Sequence, residues 1–503
     1  MSVGVIVARL SLWRGAAARP LDGLYLLAGE GGSPLDGLVL PAALRRVLSR
    51  ELERVGFAGR DGELLAAAGP ESAFRRVVAL GLGKPGEVTL AALRKGLRRL
   101  LEQATRQGDR TIAVAAGVAP TDVEAAQARA VTLVELALAD YTFDRFRARR
   151  RNGAPVSRVH VVPSRGESTA RLAGLVRDAE RTAARVRLAR DLGNRPGNDL
   201  TPTRFAQEIR ALFRGSRVRV TVLRRRQLEQ AGLAGVLAVG GGSAHEPCLV
   251  SLEYRPVRPR ATVVLIGKGV TFDAGGISLK PPADMASMKH DMAGAAAVVA
   301  AMRGVAERRP ALRVVALLPL VENLPSGSAM RPGDILRLHS GVTVEVDDTD
   351  AEGRIILADA LSYAARFQPD VVVDVATLTG ACRIALGHEL AGLFCNDDAL
   401  AEQLEQSARA TGEGVWRLPL RAAYRELLRS EFADLKNSGG RWGSLPASAA
   451  FLERFVPAGV RWAHLDIAGV GHVGRGVNGL QPGATGFGVR LLEALLDELA
   501  EKR

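Results

Sequence analysis

Four acidic residues and an arginine crowd into DDTDAEGR (347–354), as Asp347, Asp348, Asp350, Glu352 and Arg354. Carboxylates at that spacing repel one another, and stability alone gives no reason to gather them; divalent cations would. A second segment, GKGVTFDAGGISLKPPADMASMKHDMAGAA (267–296), adds Lys268, Asp273, Lys280 and Asp291 on a glycine-rich stretch. Two hard or borderline ions about 3.5–4 Å apart can share a carboxylate and a water in such a cage. Asp273, Asp291, Asp350 and Glu352 would set four negative charges against two dications. If Lys268 binds an ion, it must do so as the neutral amine, its proton driven off by the ion's field. A solvated acidic turn is the other reading of the same run. Gly353 and the helically patterned IILADALSYAARF that follows favour a packed strand–loop–helix position for it.

The use of cations sharpens this reading. Only seven of the 68 basic residues are lysine, and Lys268, Lys280 and Lys289 lie within 22 residues of one another. Arginine serves elsewhere as the generic cation, so lysine here points to an amine that can lose its proton, as a guanidinium cannot. The net charge of +14 is unevenly spread: residues 1–250 carry 40 basic and 24 acidic side chains, against 28 and 30 in residues 251–503. That excess raises DNA or RNA as a partner for the first half.

Other features exclude more than they suggest. Cys248, Cys382 and Cys395 include no CxxC pair, which rules out a cysteine zinc site and a disulfide framework. A reducing, cytoplasmic setting is therefore expected. The seven histidines form no HExxH, and His290, beside Asp291, is expected in a supporting or surface role. Gly240–Gly242 lacks a GxGxxG context and a phosphate-binding lysine, which weakens a nucleotide reading. The longest apolar runs, such as Val314–Val321, fall short of the ~20 residues that span a bilayer, so no membrane association is expected. The opening MSVGVIVARLSLWRGAAARP reads more readily as a first strand, Val3–Val7, than as a targeting segment.

The elements that must hold these residues form two α/β patterns. Val77–Gly81, Thr111–Ala115 and Val159–Val162 are expected strands, with helices over Leu93–Glu102 and Val123–Leu138. An arginine-rich helix over Ser168–Leu192 follows the basic stretch 145–158. Further strands are expected at Val218–Val222, Thr262–Ile266, Val314–Leu318, Val342–Val346 and Val371–Val375. Helices are expected near Pro202–Leu212, Gly294–Glu307, Ile355–Phe367 and Leu400–Thr411. The pattern predicts a smaller N-terminal α/β domain (1–165), a linker helix and turn (166–200), and a doubly wound, mostly parallel-sheet catalytic domain (201–503). Ligands in such sheets bind beyond the carboxyl ends of the strands, where both chemical segments lie.

GKGVTFDAGGISLKP, MKHDMAGAA and TDAEGRIILADAL resemble signature segments of the leucyl aminopeptidases, a family of dinuclear-metal cytosolic exopeptidases. RDLGNRPGNDLTP, AGVLAVGGGSAHEPCLVSLEY, DVATLTGACRIALG, ADLKNSGGRWGSLPASAAFLERF and WAHLDIAG extend the likeness over residues 190–490. The resemblance implies hydrolysis of the N-terminal peptide bond of peptides with a free N-terminus, and a homohexamer. It implies that Lys268, Asp273, Asp291 and Glu352 hold a tighter ion. Asp273, Asp350 and Glu352 would hold a second, with Asp273 and Glu352 bridging and the Asp350 carbonyl nearby. Mn2+ or Zn2+ is implied, with Mg2+ and Co2+ as further candidates. Lys280 would polarise the scissile carbonyl, and Arg354 would hold a bicarbonate that relays a proton. Thr377, Leu378, Thr379 and Gly380 would line the substrate cleft, and Met288 would face the pocket for the first side chain. The chain departs from the usual pattern at Asp347, at Asp348 (commonly Asn) and at Ala274 (commonly Ser). The alternatives are a nucleic-acid-binding protein using the basic half and a two-metal phosphoesterase; the lysine ligand and the lack of site histidines disfavour the latter.

Overall fold

The computed structural model describes residues 8–13, 20–70, 72–148 and 156–501. The expected strand Val3–Val7 and part of the basic stretch 145–158 lie outside the described residues. The chain divides into two compact units, the first built from residues up to Arg187 with Arg409–Gly412 and Arg475–Gln481.

The first unit holds a six-stranded sheet in the order Arg9–Leu12, Arg158–Val161, Thr111–Ala116, Leu21–Ala28, Phe74–Gly81, Leu64–Ala68. Only the last strand, on the edge, runs antiparallel to its neighbour. On one face Leu44, Leu48 and Leu52 of the helix Ala42–Arg54 join Leu24, Leu26, Phe74 and Val77 in a core. The helix Leu90–Arg106 starts where Thr89 Oγ1 accepts from Ala92 N, and packs against Leu21–Ala28 and Phe74–Gly81. The expected helix from Val123 starts later, at Ala128. Residues 121–127 precede it as turns, with Asp122 Oδ1 accepting from Leu90 N.

The second unit is organised on a sheet ordered Val415–Arg417, Ala391–Cys395, Arg461–Asp466, Val371–Ala376, Thr262–Gly267, Arg313–Asn323, Cys248–Tyr254, Val218–Leu223. The central four, from Arg461–Asp466 to Arg313–Asn323, are parallel. Val371–Ala376 is buried throughout, as a strand covered by helices on both faces must be, and each buried valine contributes about 1.5–3 kcal/mol. Its one polar residue, Asp374, is matched inside the core: Oδ1 lies 2.5 Å from His464 Nδ1, and Oδ2 accepts from Trp462 Nε1 at 2.7 Å.

Two sequence expectations change here. Val342–Val346 is not a strand of the main sheet; Thr343–Glu345 belongs to a separate three-stranded sheet with Ile335–Arg337 and Leu435–Lys436. Its neighbours Thr343 and Glu345 are only half-buried while Val344 is fully covered, a one-sided pattern that a central parallel strand does not tolerate. Conversely, Gly269–Asp273, expected as loop, is a strand that pairs with the far half of Arg313–Asn323 and brings Asp273 beside Asn323. Pairing with an already buried strand outweighs the weak strand preference of its glycine.

The helix Ala293–Arg308 (AGAAAVVAAMRGVAER) lies on this sheet with almost every residue of its first three turns buried. Small residues permit backbone contact: a Cβ on Gly294 would stand 2.0 Å from the Val375 carbonyl oxygen. That carbonyl accepts from Lys268 N at 3.0 Å, and the Lys268 carbonyl accepts from Ala295 N at 2.9 Å. The lysine is thus set by main-chain bonds to a strand and a helix at once.

Candidate active site

Lys268 follows the strand Thr262–Gly267, Asp273 ends Gly269–Asp273, and Thr377 follows Val371–Ala376, all at the carboxyl side of the parallel sheet. Asp291 ends the turn before Ala293–Arg308, while Glu352 and Arg354 occupy the first turn of the helix Glu352–Ala364. The fold brings these residues together. Lys268 Nζ lies 2.9 Å from both Asp291 Oδ2 and Glu352 Oε1, and donates to the Thr377 carbonyl at 3.0 Å. Lys280 Nζ lies 2.8 Å from Asp273 Oδ2 and also contacts Asp350 Oδ1. Oxygens of Asp273, Asp350 and Glu352 lie within 4.8 Å of one another. Gly353 makes room for the lysine, because a Cβ there would fall 2.5 Å from Lys268 Cε.

Charge is concentrated here away from water. Burial and the neighbouring carboxylates push Asp350 up to about 7 and raise Glu352. Burial raises Asp291 too, and although Lys268 opposes it, Glu352 and Asp273 add to the rise. Burial alone would lower both lysines, but the carboxylates around them win, and both ammonium groups are held above the ordinary lysine range. Burial brings the Arg354 guanidinium down to about 10, against the pull of Glu352 and Asp348.

This donor set fits divalent ions. It is carboxylate-rich with one amine, and Glu352 Oε2 is buried with no hydrogen-bond partner, a costly arrangement for a carboxylate unless a cation meets it. A cation entering the cage would compete with the ammonium groups for the same oxygens, so binding and proton release are linked. The Arg354 Nε–H is likewise buried and without a partner, while Nη1 donates to the Asn437 carbonyl at 2.8 Å.

Several residues that hold the site were not singled out by sequence reasoning. Asn323 Nδ2 donates to Asp273 Oδ1 at 2.9 Å and to the Thr349 carbonyl at 3.0 Å, joining the two chemical segments. Thr349 Oγ1 donates to the Gly275 carbonyl and accepts from Ser278 N. Asp466 is fully buried; Oδ1 accepts from Leu378 N and Oδ2 from Thr379 Oγ1, which fixes the 377–380 loop. Asn323 ends an apolar strand of the parallel block, and that position was the available signal; Asp466 ends Arg461–Asp466, whose polar residues hid it.

The remaining predicted residues are placed as follows. Met288 is half-buried on the turn before Asp291, and Gly380 is exposed at the start of the helix Gly380–Leu386. His290 Nδ1 binds the Gly193 carbonyl at 2.7 Å and its ring stacks on His472, so it supports the turn before Asp291. Asp347 is exposed, 3.9 Å from Lys436, whereas Asp348 Oδ1 accepts from Asp350 N. Buried Ala274 makes its backbone bond to the Asn323 carbonyl.

A mostly parallel α/β sheet with a carboxylate–lysine cage at its carboxyl edge is a scaffold whose donor set fits divalent cations. Residues 187–493 match the catalytic domain of the cytosol aminopeptidase family, and residues 25–150 its N-terminal domain. The chain is 44% identical over 463 residues to a probable cytosol aminopeptidase of Syntrophotalea carbinolica, covering 91% of this chain and 93% of that one. It is 45% identical over 474 residues to one from Methylibium petroleiphilum, covering 94% and 91%. Among solved structures it is similar to the bottromycin maturation enzyme BotP, with TM-score 0.81 and 38% identity over 96% of this chain and 100% of that one. The same enzyme in complex with Mn superposes with TM-score 0.81 at 37% identity, covering 95% of this chain and 100% of that one. The chain belongs to the cytosol aminopeptidase family and is a peptidase. Among the described residues no helix is long and apolar enough to cross a membrane.

Proposed function

We propose that this peptidase removes the N-terminal residue of unblocked peptides with two divalent ions, Mn2+ or Zn2+. Lys268, Asp273, Asp291 and Glu352 would hold one ion, and Asp273, Asp350 and Glu352 the other. Such ions, when bound, supply an anchor for the free α-amino group, Lewis acidity toward the carbonyl and water acidified enough to attack near neutral pH. The charged Lys280 donates to the scissile carbonyl oxygen as it gains negative charge. Arg354 would hold a bicarbonate in its planar fork, and that anion would supply a proton-accepting group beside the site. The ordered loop at Thr377–Gly380 presents backbone groups to the peptide. The clustering of Asp273, Asp350 and Glu352 oxygens within 4.8 Å, with two lysines among them, carries this reading.

The test is a matched pair of peptides, one with a free N-terminus and one acetylated, together with leucine p-nitroanilide. Hydrolysis of the free substrates only, abolished by chelation and restored by Mn2+, is the expected outcome. Equal hydrolysis of the blocked peptide, or full activity in chelator, would overturn it. A homohexamer belongs to the same proposal, and light scattering giving a monomer would remove it.

A further inference from the structure

Asn437 is completely buried, and all four hydrogen-bonding positions of its amide are used. Oδ1 accepts from Asp347 N at 2.8 Å and from Asp348 N at 3.2 Å. Nδ2 donates to the Asp348 carbonyl at 2.6 Å and to the Ala351 carbonyl at 3.3 Å. The backbone of the acidic loop on either side of Asp350 is therefore held by one side chain. The main chain of the same residue makes two further bonds: its carbonyl accepts from Arg354 Nη1 at 2.8 Å, and its N–H donates to the Glu345 carbonyl at 2.9 Å.

Two consequences follow from using an amide here. A lysine or arginine could also tie down this loop, but it would neutralise carboxylates needed for cations. An amide orients the backbone and leaves the charge on Asp348 and Asp350 intact. An aspartate could not donate to the two carbonyls, and it would place another negative charge against the cluster. Because Arg354 and the loop meet at one residue, a shift of Asn437 moves both together.

We propose that Asn437 is a positioning residue that sets Asp350 and Arg354 in a common frame, coupling binding of one of the two ions to anion binding at Arg354. The inference rests on the roles given above to Asp350 and Arg354. It needs no contact between Asn437 and substrate.

The experiment compares the full-length wild type with Asn437→Asp, Asp350→Ala and Asn396→Asp. Mn2+ binding is read by calorimetry and electron paramagnetic resonance, and the bicarbonate response of peptide hydrolysis by titration. Asn396 serves as a control away from the site, since its exposed amide joins Trp462 N and the Val460 carbonyl at the amino end of the strand Arg461–Asp466, opposite the carboxyl edge that holds the candidate ligands. Asn437→Asp is expected to weaken one class of Mn2+ site about 10–100-fold and leave the other in place. It should also lower kcat more than it changes KM and flatten the bicarbonate response. Asn396→Asp is expected to lower Tm alone. If Asn437→Asp fails to fold, Asn437→Ser, which keeps one hydroxyl for the loop, is expected to show the same losses in smaller measure. Wild-type Mn2+ affinities and bicarbonate response in a folded Asn437 variant would overturn the inference. Failure of the reading beneath it looks different: Asp350→Ala itself would then bind both Mn2+ ions like the wild type.

Discussion

Thr377 Oγ1 donates a 2.7 Å hydrogen bond to Asp291 Oδ1, which leaves Oδ2 of that carboxylate turned toward Lys268. The backbone carbonyl of the same threonine accepts from Lys268 Nζ. Thr377 therefore orients two candidate ligands through two different groups, only one of which a substitution can remove. Thr377→Val is expected to weaken Mn2+ binding about 10–100-fold, the usual cost of losing a partner of a ligating carboxylate. Calorimetric titration checks this, and an unchanged Kd would refute it.

Lys280 sits among carboxylates yet is not needed as a ligand. Lys280→Met is expected to lower kcat about 10²–10³-fold, the cost of removing one donor to a developing oxyanion. Mn2+ affinity should not fall, because a competing cation has gone and every ligand remains. A variant that lost metal binding and activity in proportion would show the lysine to be structural.

Gly353 tests how tightly the lysine is boxed in. An added Cβ would lie 2.6 Å from Lys268 Nζ and 3.1 Å from Leu378 Cδ1. In an exposed helix Gly→Ala stabilises by up to about 1 kcal/mol. Here Gly353→Ala is expected to reduce Mn2+ affinity and activity together, with little change in thermal unfolding of the chelated protein. Wild-type affinity in the variant would show that Lys268 can move aside.

Asp359, on the same helix, gives a pH signature separate from the metals. It is fully buried, accepts from Val236 N and His339 N, and burial pushes its carboxyl up to about 7. Because the folded state holds this proton more tightly than the unfolded chain, its stabilising contribution is present at about pH 4 and fades as pH rises through about 7. The slope cannot exceed ~1.4 kcal/mol per pH unit for one proton. Asp359→Asn is expected to flatten this part of the Tm profile between pH 4 and 7, measured in chelator. Parallel profiles for variant and wild type would refute it.

Much of this arrangement could be read from residue types and order. Valine-rich runs marked the central strands, and the lysines and acids after them marked the carboxyl edge. What escaped were strands whose burial depends on neighbours: RWAHLD carries polar residues that make sense only once Asp374 meets His464 and Trp462, and the short AGLFC is placed by pairing with that strand. Val342–Val346 misled for the opposite reason, since its apolar alternation suits a half-covered sheet as well as a buried one. Asn323 and Asn437 carry no charge and belong to no periodic pattern; their importance lies in which backbone groups they reach.

Gly294 meets the Val375 carbonyl through main-chain atoms alone, and Lys268 is fixed by backbone bonds to the same two elements. The spacing of the lysine from its helix is thus written in atoms that every amino acid shares. Apolar residues around it can be exchanged over generations without retuning that distance, whereas a single methyl group at residue 294 would break it. Lineages descending from one ancestral chain would then diverge freely in the surrounding core while inheriting the same lysine position.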